Sequence, residues 1–171
     1  PTPTVPIASD STRVTDTVPP SVRASAAAAV AAVAALGAAI AALPGRKFVF
    51  TSGTHSHVQA VTRRLGLENH FDGVFDIVDA GLLPKPHRET YEKFLADHGV
   101  DATRAAMFED DPRNLEVPHR LGMRTVLVGA GRHGPDELGP DHVHGPHVGW
   151  RTDDLPAFLA RLAAALADVA V

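Results

Sequence analysis

The 171-residue chain has no cysteine. That excludes disulfides, thiolate nucleophiles, Cys-ligated zinc and iron–sulfur clusters. Aromatic residues make up only 5%, with one tryptophan (Trp150) and one tyrosine (Tyr91). Little is left for a platform on which nucleic-acid bases could stack. Positive charge is not in excess either. Sixteen Lys and Arg stand against 20 Asp and Glu, for a net charge of −4. A mildly acidic chain is a poor grip for a phosphate backbone, so no nucleic-acid partner is expected. No basic region leads into an apolar one at the start, where residues 1–20 are polar and Pro-rich; no secretory leader is read there. The longest uncharged stretch, residues 24–43, is mostly alanine. Alanine enters a bilayer far less readily than leucine or isoleucine, so the stretch reads as a packed helix, with no membrane partner and a cytoplasmic location expected.

Residues 1–20 are expected to be loosely ordered, because Pro1, Pro3, Pro6, Pro19 and Pro20 break any helix. Residues 21–45 hold an Ala-rich helix with Val30, Val33, Leu36, Ile40 and Leu43 on one stripe, stopped by Pro44-Gly45. Residues 46–171 read as the core. Short apolar runs at 48–50, 74–78, 105–108 and 125–128 predict strands, and a fifth is conceivable near Val148. Helical spacing covers 58–65, 89–98, 114–121 and 153–169. Short strands alternating with helices of about ten residues predict an α/β fold with a Rossmann-like parallel sheet. Such sheets bind ligands at the carboxyl ends of their strands.

Three polar groups fall at or near such ends. Thr51 and Ser52 follow the first strand, with Gly53 after them. Lys85 sits between Pro84 and Pro86. Asp110 and Asp111 follow the third strand. Hydroxyls and free N–H groups ahead of a helix suit an anion, a lysine adds a cation, and carboxylates suit a hard divalent ion. Together they describe a phosphoryl-transfer site. Taken singly, Thr51 is an ordinary helix cap, Lys85 a solvated turn residue and Asp110-Asp111 a capping pair.

The runs Lys47-Phe48-Val49-Phe50-Thr51-Ser52-Gly53-Thr54, Pro84-Lys85-Pro86, Phe108-Glu109-Asp110-Asp111-Pro112-Arg113-Asn114 and Leu121-Gly122-Met123-Arg124-Thr125-Val126-Leu127-Val128 resemble the haloacid dehalogenase (HAD) superfamily. More narrowly they resemble its pyrimidine 5′-nucleotidase branch, over roughly residues 36–171. The resemblance implies a Mg²⁺-dependent phosphatase acting on a small phosphate ester, a pyrimidine nucleoside 5′-monophosphate, through an aspartyl-phosphate. It implies that Thr51 bonds the phosphoryl group, Lys85 offsets charge, Asp110 ligates the metal with Asp111 as a second candidate, and Asn114 braces the loop. Ser52 stands where Asn is common in that branch. Ser52, Gly53 and His57 would line the phosphate or substrate side, although His57 reads more readily as a surface residue at a helix start.

The same resemblance calls for an Asp-x-Asp motif ahead of Thr51, and residues 1–46 contain none. Asp10 is the nearest candidate nucleophile, with Thr12 in the place of the second Asp. The Ala-rich helix then reads as a cap remnant or linker, and the core as incomplete or divergent at its N-terminus. Losing such a nucleophile costs on the order of 10⁶ in rate. The competing reading is therefore an inactive or truncated relative that binds phosphate, Mg²⁺ or a protein partner without turnover. A dehalogenase on the same scaffold would need an Asp nucleophile as well. A missing central strand would leave open sheet edges, through which self-association is expected. His133, His142, His144 and His147 form a His-rich loop read as solvated rather than metal-binding.

Overall fold

A computed structural model describes residues 20–129 and 144–169. Asp10, His133 and His142 lie outside the described residues. The elements run α1 (Pro20–Ala42), β1 (Phe48–Phe50), α2 (His55–Leu65), β2 (Gly73–Phe75), α3 (Arg88–His98), β3 (Ala106–Glu109), α4 (Glu116–Arg120), β4 (Arg124–Val128), β5 (Trp150–Thr152) and α5 (Leu155–Val169). Short 3₁₀ turns at Ala102–Arg104 and Pro112–Leu115 precede β3 and α4. Every strand pair is parallel, so the expected Rossmann-like α/β architecture is what the chain adopts.

Among the described residues the strands form two sheets. β1 pairs with β2, and β3, β4 and β5 lie in that order. Among the described residues no ladder joins β1 to β3. The halves are held instead by side chains. Phe50 of β1 lies 5.2 Å, centroid to centroid, from the ring of Tyr91. Tyr91 clusters in turn with Met107 of β3, Leu115 and Leu127.

Several boundaries differ from the sequence expectation for local reasons. The second strand ends at Phe75 rather than running to residue 78. The Asp76 carboxylate accepts the N–H groups of Val78 and Asp79 at 2.8 and 3.0 Å, and this Asx turn closes the strand. The helix expected over 114–121 begins as a 3₁₀ turn at Pro112, capped by the Asp111 side chain on Arg113 N–H. The strand sought near Val148 is β5, two residues later. His147, placed in a solvated loop above, is only 8% exposed.

Gly66 ends α2 and Gly99 ends α3, both left-handed at φ 66° and 56°, a conformation a Cβ would strain. The C-terminal part of α1 packs on α5, where Ala39, Ile40 and Leu159 are buried beside Phe108 and Phe158. That places this stretch of the Ala-rich helix within the core layers. Among the described residues no helix is long and apolar enough to cross a membrane.

Candidate functional site

The loop after β1 is shaped by its own hydroxyls. Thr51 N–H donates to Phe75 O at 3.0 Å, which extends the β1–β2 ladder by one residue. The Thr51 hydroxyl oxygen accepts Gly53 N–H at 3.0 Å. Its own proton is then free to donate outward. A Cβ at Gly53 would stand 3.3 Å from Thr51 Oγ1 and 3.6 Å from His57 Cδ2, so the bare glycine keeps both groups close. His57 is exposed on the first turn of α2, beside that loop.

Ser52 joins this loop to the Lys85 turn, its hydroxyl oxygen accepting Lys85 N–H at 3.2 Å. The Lys85 ammonium donates to Phe50 O at 3.2 Å and to the Glu109 carboxylate. Successive strand residues point their backbone groups to opposite sides. Thr51 N–H faces β2, so Phe50 O faces away from it, on the side turned from the ladder. Lys85 therefore caps the open edge of β1 while reaching the end of β3. The Lys85 and Glu109 side chains are 9% and 8% exposed. Two of the three ammonium protons are used, and the third remains for an anion.

Glu109 is the residue that sequence reasoning missed. Its other carboxylate oxygen accepts the N–H groups of Asp110 and Asp111 at 3.2 and 3.4 Å. The sequence marks only that Glu109 ends a strand and directly precedes the acidic pair; that this strand end meets Lys85 is shown by the fold.

The remaining expected residues spread out. Asp110 is half-buried at the end of β3. The Asp111 carboxylate is engaged by Arg113, through Nε at 3.0 Å and a terminal nitrogen at 2.7 Å. Asn114 contributes its backbone, since its carbonyl accepts the Tyr91 hydroxyl at 2.9 Å. Burial first, then the Glu109 and Asp111 charges, pushes the Tyr91 phenol far above its ordinary range, so it stays a donor. The structure thus brings together Thr51, Ser52, Gly53, Lys85 and Glu109, with Asp110 adjoining them.

Mg²⁺, implied by the resemblance, can be tested against the donors present. Carboxylate oxygens at the end of β3 suit a hard cation. Among the described residues no three His, Cys, Asp or Glu side chains gather into a cage. Mg²⁺ takes one or two protein carboxylates and fills the rest of its shell with phosphate and water. Asp110 is the residue that would hold it.

Asp76 supports the loop from below. It is 5% exposed, and His55 Nδ1 lies 4.0 Å from its carboxylate. The N–H of Asp79 foremost, then those of Val78 and His55, hold its carboxyl below the ordinary value against the opposing effect of burial. A depressed folded pKa contributes stability that is present above the unfolded value of about 3.9 and is lost as pH falls through the folded one. Acid unfolding followed by circular dichroism is therefore expected to lose part of its limb below pH ~4 in Asp76→Asn. An unchanged limb would show that Asp76 does not carry this linkage.

Comparison with known proteins adds the following. Residues 15–122 match the family described as haloacid dehalogenase-like hydrolase. A conserved haloacid dehalogenase-like protein of unknown function from Agrobacterium tumefaciens shares 18% identity at a TM-score of 0.59, over 78% of this chain and 59% of that one. The L-2-haloacid dehalogenase from Xanthobacter autotrophicus, solved with chloropropionic acid covalently bound, shares 18% identity at 0.54, over 81% and 59%. A haloacid dehalogenase-like family protein from Streptococcus pneumoniae shares 13% at 0.54, over 78% and 57%. At these identities the likeness is one of fold. The chain spans less than three-fifths of the length of each of these proteins.

Proposed function

From the premise that this chain belongs to the haloacid dehalogenase-like hydrolase family, we propose that its site binds and hydrolyses a small phosphate monoester. The class we assign is a pyrimidine nucleoside 5′-monophosphate, with Mg²⁺ as cofactor. The observation that carries the reading is the Lys85 ammonium, buried between Phe50 O and Glu109 and directly beside the Thr51–Ser52 loop.

The roles follow from the contacts. Thr51 donates its hydroxyl proton to a phosphoryl oxygen, and Lys85 offers its third N–H to another. Glu109 and Phe50 O fix where that ammonium points. A fixed donor aimed at developing charge contributes roughly 10²–10³ in rate. Mg²⁺ held at Asp110 supplies further charge neutralisation when bound. In the aspartyl-phosphate reaction a carboxylate oxygen attacks phosphorus and the ester P–O bond breaks. The nucleoside oxygen takes up a proton from water as it leaves as an alcohol, and a second water then cleaves the acyl phosphate, restoring the carboxylate and releasing inorganic phosphate. Asp10 is the candidate nucleophile.

A second reading has its own support. No Asp-x-Asp occurs anywhere in the 171 residues, and β1 and β3 share no ladder among the described residues. It is a phosphate-binding relative without turnover.

Phosphate release from p-nitrophenyl phosphate, UMP and CMP separates the two. The enzyme reading expects Mg²⁺-dependent release, abolished by EDTA and by Asp10→Asn and lowered about 10²-fold in Thr51→Val. A folded chain that binds inorganic phosphate, loses that binding in Thr51→Val and releases nothing supports the second reading.

A further inference from the structure

Leu82 combines two features that seldom meet. It is 71% exposed, and its backbone is left-handed at φ 65°, the one non-glycine among the described residues with a positive φ. An exposed leucine alone needs no explanation. A bulky side chain at positive φ does, because its Cβ crowds the following carbonyl oxygen. Such a conformation persists only where the surroundings fix the backbone, and it gathers at ligand sites. The surroundings do fix it here. The N–H groups of Ala80, Gly81 and Leu82 donate to Asp76 O, Val78 O and Ile77 O at 3.0, 2.9 and 2.8 Å. Ala80 is buried with Phe75 and Phe94, and Leu83 O accepts the Thr90 hydroxyl at 2.7 Å. An apolar residue that closes such a turn usually packs back on it. At its exposure Leu82 makes little of that contact.

The segment that carries it adjoins the anion site. It is bonded to the Thr51–Gly53 loop at both ends: Ile77 N–H donates to Gly53 O at 3.1 Å, and Lys85 N–H donates to Ser52 Oγ at 3.2 Å. Leu82 lies on the arch between these two bonds. It precedes Lys85 by three residues, which holds it within about 10 Å. Ala80, Gly81, Leu82, Leu83 and Pro84 bring no polar side chain to that arch.

We propose that Leu82 is a specificity-determining residue, the apolar shelf on which the base of a nucleoside monophosphate lies while Thr51 and Lys85 hold its phosphate. The inference rests on the phosphate-site reading above and adds which part of the ester is recognised beside it. A base sits one sugar away from its phosphate, within the reach that three residues set. Every base has a flat face free of hydrogen-bonding groups, and that face covers a leucine without stranding a donor or acceptor. A sugar phosphate without a base brings hydroxyls instead, and the side chains of the arch have nothing to pair with them. The left-handed backbone then has a use, because it turns an apolar side chain out to where the ester's far end lies.

Calorimetric titration of the full chain with UMP and with ribose 5-phosphate, in EDTA and again with Mg²⁺, tests this. The parent is expected to hold UMP more tightly than the sugar phosphate. Leu82→Asn lowers that preference by ~10-fold, while its thermal midpoint holds or rises, since asparagine tolerates a left-handed backbone. A leucine with only a structural role would move the midpoint and leave the preference alone. Leu82→Gly, which that backbone accepts outright, loses the same preference and serves if Leu82→Asn fails to fold. Equal affinity of the parent for the two ligands overturns the proposal. So does a preference for UMP that both variants keep. A parent that binds neither ligand, nor inorganic phosphate, refutes the phosphate site itself and this proposal with it.

Discussion

On the proposed reading, Lys85→Met is expected to lose phosphate affinity and folding stability together. The first loss removes a fixed cationic donor from the anion site, worth roughly 10²–10³ in turnover or binding. The second arises because Glu109 stays buried with no cation beside it. Removing one partner of a buried ion pair costs about 3–5 kcal/mol. The two effects can be separated. Lys85→Met combined with Glu109→Leu removes both charges and is expected to regain much of the stability without regaining phosphate binding. Urea unfolding and calorimetric titration with inorganic phosphate read the two quantities independently. A double variant no more stable than Lys85→Met would show that Glu109 is not the group left stranded.

Phe75→Ala is expected to be the most damaging change outside the site. Phe75 is fully buried, and its ring lies 5.1 Å from Phe50, 5.5 Å from Phe94 and 5.9 Å from His98. Emptying such a position costs about 3–5 kcal/mol. Set against a total stability of ~5–15 kcal/mol, that lowers the thermal midpoint by roughly 6–20 °C. The site suffers as well, because the Phe75 carbonyl holds Thr51 N–H. Val78→Ala, three residues on but 65% exposed, should stay within about 0.5 kcal/mol of the parent. A thermal melt of the two variants side by side checks the contrast. Equal midpoints would mean that the aromatic cluster around Phe75 does not carry the core.

These two residues show how unevenly the sequence discloses the molecule. Phe75 sits in a short apolar run, and period alone placed it in a strand. What period could not show was where the strand stops. That is decided by one carboxylate, Asp76, folding back on the amides of Val78 and Asp79. Thr51, Ser52 and Lys85 were legible because strand ends, turn prolines and hydroxyls are local features. Glu109 was not, since its role depends on a lysine 24 positions away that meets it only across the fold. Asp111 reads identically to Asp110 in the sequence, yet Arg113 engages it through a two-residue reach that no hydropathy pattern contains. The α/β alternation was plain, but a parallel pair leaves no mark of which strands adjoin. The division into two sheets therefore emerged only from the structure.

That division would make a ligand bound at the proposed site a structural member. The hydroxyls of Thr51 and Ser52 ride on one sheet, and the carboxylates of Glu109 and Asp110 ride on the other. Their separation is set by side-chain packing, with Lys85 as the cross-brace. If an anion binds at Thr51 and Lys85 as proposed, the Lys85–Glu109 pair links it to the second sheet, and whatever it gains in binding appears as resistance of the whole chain to opening. Occupancy and rigidity are thus one quantity here, so a saturated site would stiffen a seam that the backbone leaves unsewn.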